Sequence, residues 1–340
     1  MWERIVDIIN EGKKFIITTH LFSEGDAIGS ELALKRFLCG LNKDAVIVNN
    51  EALPSVYRCF DTDKDIKFLK SKDVNINLND FDAIFMVDVA DWSQLGDFAD
   101  MIKASQITKI CIDHHPTNPG YADINVIVKD ASSAGELIYD LITHMNGKIT
   151  LEVATPLYLS IATDTGWFKF SNTSATAFKA CSALIKSGVK SEIIYEKLYQ
   201  NKHLSYLKLL NLALGNLRSE CDGRLVWTKM TKEMIKSSGV KFVDTDVIID
   251  LIRAVNEVEV VVVFRELGER KTKVSFRSKH TIDVSKLASD FGGGGHVRAA
   301  GASLNEPIDT AIGDVISAAS ELMEETSACV SSGSSLASSI

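Results

Sequence analysis

The sequence predicts an α/β protein. Its N-terminal part is predicted to be a doubly wound, mostly parallel sheet with flanking helices, and its C-terminal part a smaller α+β domain with a mixed sheet. Two observations lead to this prediction. Short apolar runs alternate with helical stretches through the first half of the chain, which is the pattern of βαβ units. After a helical stretch without Gly or Pro over residues 191–214, strongly β-branched runs return.

Four apolar runs in the first half are predicted strands. They occupy residues 14–19, 45–48, 83–87 and 109–112. A helix is expected over residues 30–38, after a turn in which Gly25 and Gly29 would provide a tight path. The intervening stretches are long enough for crossover connections. Because the carboxyl ends of parallel strands meet at one edge of a sheet, we expect a ligand crevice at that edge.

The second half is predicted to contain further strands and a helix whose N-cap is Thr245. The strands occupy residues 224–227, 257–264 and 271–276, and the helix occupies residues 245–255. Together these patterns divide the chain into four segments. They are a first domain over residues 1–188, a helical linker over 189–215, a second domain over 216–325, and a Ser-rich tail over 326–340. The tail is predicted to be disordered because it has too few apolar groups to pack.

The composition is that of a soluble globular protein, with 340 residues, 46% hydrophobic and 24% charged. The sequence has no apolar run of the roughly 18–20 residues that a membrane span needs. Its start lacks the basic and apolar parts of a signal peptide. We therefore expect a cytoplasmic protein with no membrane partner. The six cysteines form no C-x-x-C pair, which disfavours a disulfide framework and a thiolate zinc site.

The net charge of −8 disfavours a surface that coats long duplex nucleic acid. A polyanionic ligand would therefore need cations concentrated locally, either metal ions or a few arginines.

Carboxylates and imidazoles collect where the predicted strands of the first domain end. The candidates are His20, Glu24 and Asp26 after the first strand, Asp88 after the third, Asp113, His114 and His115 after the fourth, and Asp164 at a helix end. Any one of these residues taken alone is better explained as a cap or a surface group. Four such segments together indicate a site for two cations sharing a cleft. Imidazole and carboxylate ligands without thiolates suit manganese or another divalent first-row ion.

A run of four glycines, Gly292–Gly295, precedes His296 and Arg298. Without side chains in the way, the backbone N–H groups of such a run can approach an anion closely. Arginine matches phosphate oxygens with two parallel donors, and Arg277 ends a predicted strand from which it could reach the same place. The simpler interpretation is a flexible glycine hinge with exposed basic residues.

These motifs resemble the DHH phosphoesterase superfamily, and the resemblance covers about residues 1–325. It is carried by the spacing of His20, Glu24 and Asp26, the strand-end Asp88, the Asp113-His114-His115 triplet, and Asp164 in its Thr-Asp-Thr-Gly context. The segment from Phe291 to Gly301 resembles the signature of the DHH-associated C-terminal domain. Within the superfamily, the two-domain length matches the oligoribonuclease/pAp phosphatase branch.

The resemblance implies a ligand set for two cations. The first would be held by His20, Glu24 and Asp88, and the second by Asp26, Asp88, His114 and Asp164. It further implies that His115 faces the scissile phosphate and that Asp113 orients a histidine. The pattern thus assigns catalytic roles to Asp88, His115 and Asp113, and cation binding to residues of all four segments.

Glu24 departs from the family pattern, which usually has Asp there in an Asn-Pro-Asp-like context. In this sequence Phe22 and Ser23 precede the acid. Glutamate keeps the charge but reaches one methylene further. We still expect Glu24 to coordinate the first cation or to hold a water bound to it.

For the second domain, the resemblance implies a grip on the substrate's far phosphate and nucleotide. The residues expected to provide it are Arg277, Ser278, Gly293, Gly294, Gly295, His296 and Arg298. The second domain would close over the cleft and limit the substrate's length. A homodimer would fit the family.

The expected reaction is cation-assisted hydrolysis of phosphoesters. The expected substrates are RNA of two to five nucleotides and the 3′-phosphate of pAp, with Mn²⁺, Mg²⁺ or Co²⁺ as the ion. Alternatives are an exopolyphosphatase or pyrophosphatase, a RecJ-like exonuclease, a linear or cyclic dinucleotide phosphodiesterase, and a non-catalytic nucleotide-binding module. Pyrophosphatases of the superfamily lack the glycine run, and RecJ-like enzymes are longer. The sequence does not separate dinucleotide hydrolysis from the favoured activity, nor does it give the direction of digestion.

Overall fold

The computed structural model of the chain describes residues 1–333 apart from residues 73, 241, 242 and 244, with side chains described up to residue 326. The backbone divides into two compact units, Met1–Asn201 (unit 1) and Lys202–Ile340 (unit 2). This division lies inside the predicted helical linker, residues 189–215. None of the described helices is both long and apolar enough to cross a membrane.

Unit 1 consists of a sheet with helices on both faces. Its elements in chain order are α1 (Glu3–Glu11), β1 (Lys14–Thr18), α2 (Gly25–Gly40), β2 (Asp44–Asn49), β3 (Ile66–Phe68), β4 (Ala83–Val87), α3 (Asp97–Ala104), β5 (Thr108–Asp113), β6 (Ile124–Ile127), α4 (Ala134–His144), α5 (Leu151–Asp164), α6 (Ala175–Lys186) and α7 (Ser191–Tyr199). The strand order is β3-β2-β1-β4-β5-β6. All neighbouring strands are parallel, which confirms the predicted doubly wound class.

The alternation of side chains along each central strand explains the two layers of helices. In β1, Phe15 and Ile17 belong to the core formed with α2, α4 and α5, whereas Ile16 belongs to the opposite core formed with α3. A parallel strand that is buried on both faces has an uninterrupted apolar sequence. This is why the four central strands were predictable from apolar runs.

The two outermost strands, β3 and β6, were not predicted. β3 has only three residues, and none of them is buried. β6 has four, one of which is the exposed Asn125. Strands this short and this mixed have no distinctive pattern, and their pairing with a neighbour defines them.

The helix α2 begins at Gly25, five residues before the predicted start at residue 30. Glu24 has an extended backbone at the N-cap position, and its carbonyl accepts a hydrogen bond from the Ile28 N–H at 3.0 Å. The two glycines therefore lie inside the helix. A Cβ on Gly25 would lie 2.3 Å from Thr163 Oγ1, and one on Gly29 would lie 2.4 Å from the Pro156 carbonyl oxygen. They are required by the close packing of α2 against α5, and not by a turn.

Unit 2 has a mixed sheet, as predicted. Its elements are α8 (Leu204–Gly215), β7 (Arg218–Glu220), β8 (Leu225–Met230), α9 (Lys232–Ser238), α10 (Asp246–Arg253), β9 (Val260–Gly268), β10 (Lys271–Ser278), α11 (Val284–Asp290), β11 (Gly294–His296), β12 (Ala299–Leu304) and α12 (Ile308–Gly333). The strand order is β11-β12-β10-β9-β8-β7. β8 and β9 are parallel, and the other neighbours are antiparallel.

The sheet of unit 2 is covered on both faces. Val262 and Phe264 of β9 pack with α11 and α12, whereas Val261 and Val263 pack with α8 and α10. This burial on both faces accounts for the strongly β-branched run. The strand starts at Val260, three residues later than predicted.

Two further predictions for unit 2 differ from the structure. Thr245 precedes α10, but its backbone is already helical and its side chain makes no capping hydrogen bond. The last helix, α12, continues to Gly333 and therefore covers the first part of the predicted disordered tail. That part has no Pro, the residue that a helix interior tolerates least. The rest of the tail, residues 334–340, lies outside the described residues.

Candidate metal centre

The candidate site of unit 1 lies at the carboxyl edge of its sheet. β1 lies between β2 and β4, and β5 follows β4 on the other side. His20 follows β1, Asp88 follows β4, and His114 follows β5. β2 and β4 lie on opposite sides of β1, so the strand order reverses at β1. Open α/β sheets form a ligand crevice where the strand order reverses.

Imidazole nitrogens and carboxylate oxygens from four segments converge here. The Nε2 atom of His114 lies 3.4 Å from Asp26 Oδ2, 3.5 Å from Asp88 Oδ1 and 3.8 Å from Asp164 Oδ2. The Nε2 atom of His20 lies 3.4 Å from Asp88 Oδ2. The structure therefore brings together five of the six residues expected to hold cations.

Within the described part of the chain, these residues form two groups that could hold a metal ion. One is Asp88, His114 and His115, and the other is Asp26, His114 and Asp164; the ligand atoms of each group lie within 4.8 Å of one another. His115 thus joins a cation-capable group, although the resemblance implies a position facing the phosphate. Its ring Nδ1 lies 3.6 Å from Asp88 Oδ1.

Asp88 is the residue that both halves of the cluster share. Its carboxylate is almost fully buried, and its Oδ1 atom has no hydrogen-bond partner among the residues that the structure describes. Its backbone is left-handed, with φ of 59°, a conformation that is uncommon outside glycine. A buried anionic oxygen without a donor is costly unless a cation compensates it. The carboxylate oxygens and imidazole nitrogens around Asp88 therefore fit a divalent cation.

The two histidines are oriented by bonds on the far side of their rings. Nδ1 of His20 lies 2.6 Å from the Leu21 carbonyl oxygen, and Nδ1 of His114 lies 3.2 Å from that of Ala131. A carbonyl oxygen only accepts, so each Nδ1 carries the hydrogen. Each Nε2 is then directed at the carboxylates, as in metal-binding histidines whose second nitrogen donates to a backbone carbonyl.

Asp26 is held at the N-terminus of α4. Its carboxylate accepts hydrogen bonds from the Ala134 N–H at 2.8 Å and the Gly135 N–H at 3.1 Å. Ser160 donates its hydroxyl to Asp26 Oδ1 at 2.5 Å. A helix N-terminus favours negative charge. Sequence reasoning missed these partners, because Ser160 lies mid-helix and α4 starts more than 100 residues after Asp26.

Asp164 and Asp113 are positioned by asparagines that sequence reasoning also missed. Asn172 donates to Asp164 Oδ2 at 2.9 Å. Asn118 donates to Asp113 Oδ2 at 2.7 Å, while Asp113 Oδ1 accepts from His115 Nδ1 at 2.7 Å. Asp113 is fully buried, and its carboxylate fixes the orientation of the His115 ring through this bond. A lone asparagine in a loop has no pattern by which it could be found.

Glu24 lies apart from the converging groups. It is exposed and belongs to neither cation-capable group. Burial lowers the pKa of His20, but Asp88 and the Leu21 carbonyl raise it, and the charge of Glu24 is close enough to add a smaller rise. Coordination by Glu24 therefore remains a prediction.

The electrostatics of the cluster show groups that depend on one another. Burial, together with the charges of Asp88 and Asp164, raises the pKa of Asp26 to about 8. Burial raises the pKa of Asp164 to about 6 against the attraction of His114. For Asp88, burial is outweighed by the imidazoles of His114 and His20, and its pKa lies below its usual value.

The histidines respond in the opposite direction. Burial disfavours the charged form of both rings, yet Asp88 and the other acids raise the pKa of His20 to about 9 and that of His114 to about 10. The bond to Asp113 raises the pKa of His115. In the absence of a cation, protons on these rings therefore balance the buried carboxylates.

In unit 2, the basic side chains near the glycine run are engaged with their own backbone or with a neighbouring acid. Arg298 donates to the Lys279 carbonyl at 2.7 Å, and Arg277 pairs with Asp246 at 3.1 Å. The Ser278 hydroxyl is buried and donates to the Ile282 carbonyl. His296 is exposed in β11. Arg277 and Ser278 end β10, His296 ends β11, and Arg298 precedes β12, which lies between those two strands. This arrangement does not show an anion site.

Most of the glycine run is explained by strand packing. A Cβ on Gly293 would lie 2.2 Å from the Gly301 carbonyl oxygen, and Gly295 has φ of 144° beside the Ala299 carbonyl. At Gly294 there is open space. Gly292 also has a left-handed φ of 67°, so three of the four glycines have a structural explanation. The binding role of the run stays a prediction.

Comparison with known proteins matches both units. The model of the DHH family, N-terminal domain, matches residues 14–161, and that of the DHHA1 domain matches residues 229–325. The chain is 32% identical to the bifunctional oligoribonuclease and PAP phosphatase NrnA of Thermus thermophilus, over 85% of this chain and 83% of that protein. It is 27% identical to the NrnA of Bacillus subtilis, over 85% and 88% of the two chains.

A solved structure is similar as well. The crystal structure of an exopolyphosphatase-related protein from Bacteroides fragilis matches with a TM-score of 0.86 and 25% identity over 95% of each chain. Because both domain models match in order and a relative is about one-third identical over most of its length, the chain belongs to the DHH family, in the branch of the oligoribonucleases and PAP phosphatases.

Proposed function

We propose that this protein is a phosphoesterase that depends on two divalent cations and hydrolyses oligoribonucleotides of two to five nucleotides to mononucleotides. We further propose that it removes the 3′-phosphate of pAp. The observation that carries the proposal is the convergence of Asp26, Asp88, His114 and Asp164, with Asp88 Oδ1 buried and lacking a hydrogen-bond partner within the described residues. The relatives of similar length are oligoribonucleases and PAP phosphatases.

Two sets of residues would hold the cations, with Asp88 shared between them. His20 and Asp88, joined by Glu24, form one set, and Asp26, His114 and Asp164 with Asp88 form the other. When bound, the cations supply polarisation of the phosphoryl oxygens and a water acidified enough to attack at neutral pH. Oxygen and imidazole donors without thiolates favour Mn²⁺, with Mg²⁺ and Co²⁺ as the other candidates.

His115 is proposed to act on the phosphate rather than as a cation ligand. Its Nδ1 donates to Asp113, so a protonated ring has its Nε2–H left to donate to a phosphoryl oxygen. The bond to Asp113 raises the pKa of His115 and so favours the protonated ring. A donor fixed in this way stabilises the charge that develops on the phosphate during hydrolysis. Asp113 holds the ring in the orientation and tautomer that this role needs.

In unit 2, Arg277, His296 and Arg298 are proposed to bind the substrate's other phosphate. Both arginines keep guanidinium donors beyond those used in their internal bonds. Ser278 and the glycines are proposed to shape the backbone around them. With a net charge of −8, affinity for a polyanion has to come from such local groups.

The alternatives are less well supported. A non-catalytic nucleotide-binding module would not need the strained, buried Asp88, and the relatives of similar length are hydrolytic enzymes by name. The similar Bacteroides fragilis structure is described as exopolyphosphatase-related, so polyphosphate belongs in the substrate panel.

The test is an assay of the purified chain with Mn²⁺, Mg²⁺ or Co²⁺ against four substrates: pAp, an RNA dinucleotide, an RNA pentanucleotide and polyphosphate. We expect phosphate release from pAp and mononucleotide release from the short RNAs, both abolished by a chelator. The Asp88→Asn variant should be inactive, while Asp100→Asn, which changes an exposed acid of α3, should behave as wild type. Hydrolysis of polyphosphate alone, or full activity of Asp88→Asn, would contradict the proposal.

A further inference from the structure

Phe22 is an aromatic side chain that the fold leaves in solvent. Its side chain is 81% exposed, more than any other large apolar side chain among the described residues. Single exposed apolar residues are common, but the backbone of this one is also unusual. Its φ is 58°, in the left-handed region that side chains with a Cβ rarely adopt.

Neighbouring segments hold this conformation in place. The Phe22 N–H donates to Glu51 Oε2 at 2.8 Å, and the preceding Leu21 N–H donates to the Gln94 carbonyl at 2.7 Å. Glu51 lies two residues after β2, and Gln94 lies in the loop that connects β4 to α3. Two separate connections on the carboxyl side of the sheet therefore fix the turn. Rare backbone conformations persist where surrounding structure over-determines them, and they cluster at functional sites.

The position of Phe22 relates the ring to the candidate metal centre. It lies two residues after His20 and two before Glu24. Consecutive Cα atoms are about 3.8 Å apart, so its Cα lies within about 8 Å of that of His20. The exposed ring therefore belongs to the short loop that carries His20 and Glu24, two of the residues expected to hold a cation.

We propose that the Phe22 ring stacks on a nucleobase of the substrate next to the scissile phosphate. This inference rests on the proposed function and adds a specificity-determining residue to it. An exposed aromatic ring offers a π-face that any base can stack on. The contact would favour nucleotides over base-free phosphoesters such as polyphosphate, and it would be tolerant of base identity.

The test compares Phe22→Ala, Phe22→Leu and Phe22→Tyr in the purified full-length chain. Leu keeps apolar bulk without a ring, and Tyr keeps the ring. The substrates are the dinucleotide pApA and two versions in which one or the other adenosine is replaced by an abasic ribose. For pApA, we expect the Ala and Leu variants to raise KM by roughly 5- to 150-fold, and the Tyr variant to match wild type.

The abasic substrates separate stacking from a structural role of the turn. On the version that lacks the stacked base, wild type should already show the raised KM, and the Ala variant should add little to it. Equal loss by the Ala variant on all three substrates would assign Phe22 to folding of the turn and overturn the proposal. An unchanged KM for pApA in the Ala and Leu variants would overturn it as well.

A binding measurement separates this proposal from the proposed reaction. The Kd of a non-hydrolysable phosphorothioate dinucleotide should rise by the same factor in Phe22→Ala and Phe22→Leu. If wild type hydrolyses none of the substrates but its Kd shows this dependence on the ring, the reaction is wrong and the stacking stands. If hydrolysis occurs and Kd is independent of the ring, the stacking is wrong and the reaction stands.

Discussion

The polar groups of the two units differ in what they do without a ligand. At the sheet edge of unit 1, carboxylates and imidazoles are largely buried, face one another, and leave Asp88 Oδ1 without a donor within the described residues. In unit 2, Arg277 and Arg298 bond to an acid and a carbonyl of their own unit, and His296 is exposed. Buried carboxylates that only protons on neighbouring rings balance can exchange those protons for a cation, whereas satisfied surface groups do not by themselves indicate a ligand.

This difference predicts that substitutions in the buried cluster of unit 1 act on turnover, whereas substitutions of the basic groups of unit 2 act on substrate affinity. The largest effect is expected for Asp88→Asn, which removes the charge shared by both cation sets. It should lower kcat by roughly 10²–10³-fold or more. Because the Asp88 carboxylate offsets the protonated rings of His20 and His114 in the cation-free protein, the substitution should also lower the melting temperature of that form. Thermal unfolding beside the hydrolysis assay checks both expectations, and near-normal kcat would remove the distinction between the units.

The second effect concerns the support under His115. Asp113→Asn keeps the shape of the side chain but removes the charge that raises the pKa of His115. Loss of such a supporting partner typically costs about 10–100-fold in activity. The raised pKa keeps the ring protonated up to higher pH, so without Asp113 the ring should lose its proton at lower pH.

The measurement is the pH profile of kcat with both substrates. The fall in activity on the alkaline side should shift to lower pH in Asp113→Asn. The control is Asp123→Asn, at an exposed acid ten residues further along the chain and outside the cluster, which should leave the pH profile unchanged. A uniform loss of activity at every pH would assign Asp113 to folding alone.

The third prediction uses the raised pKa values of His20, about 9, and His114, about 10. Both rings are protonated at neutral pH in the cation-free protein, and a coordinating Nε2 must be deprotonated. Cation binding therefore releases at least one proton, and affinity should weaken by about tenfold for each unit that pH falls below these values. Titration calorimetry with Mn²⁺ between pH 6 and 8, in buffers of different ionisation enthalpy, measures the released protons. An affinity that does not change with pH would contradict the assignment of these rings as ligands.

The smallest effect is expected in unit 2. Arg298→Ala should raise KM for pAp and short RNA by roughly 2- to 10-fold, the net worth of one hydrogen-bonding group, with kcat nearly unchanged. Arg270→Ala, at an exposed arginine in the turn between β9 and β10, is the matched control. If Arg298→Ala lowered kcat and left KM unchanged, the division between the two units would be wrong.

Much of the fold was predictable because buried parallel strands have uninterrupted apolar sequences. The strand-end residues His20, Asp88 and His114 followed from that, since the sheet brings parallel carboxyl ends together. The edge strands β3 and β6 and the early start of α2 were not predictable, because pairing and the α2–α5 contact decide them.

The residues that position the ligands were also beyond sequence reasoning. Ser160 reaches Asp26 only through tertiary packing. Asn118 and Asn172 reach Asp113 and Asp164 through the conformation of the loops that follow them, and neither loop has a sequence pattern that predicts this. Glu24 shows the converse case. The resemblance to the family predicts that Glu24 is a cation ligand, yet in the structure it is exposed at the N-cap of α2.

The most direct test is to count the Mn²⁺ ions bound per chain by electron paramagnetic resonance of the free ion during titration. We predict two bound Mn²⁺ in the wild-type protein. Both should bind clearly more weakly in Asp88→Asn, whereas Asp100→Asn should bind them as the wild type does. A wild-type chain that binds no Mn²⁺, or an Asp88→Asn chain that binds it as the wild type does, would contradict the cluster's role as a two-cation centre.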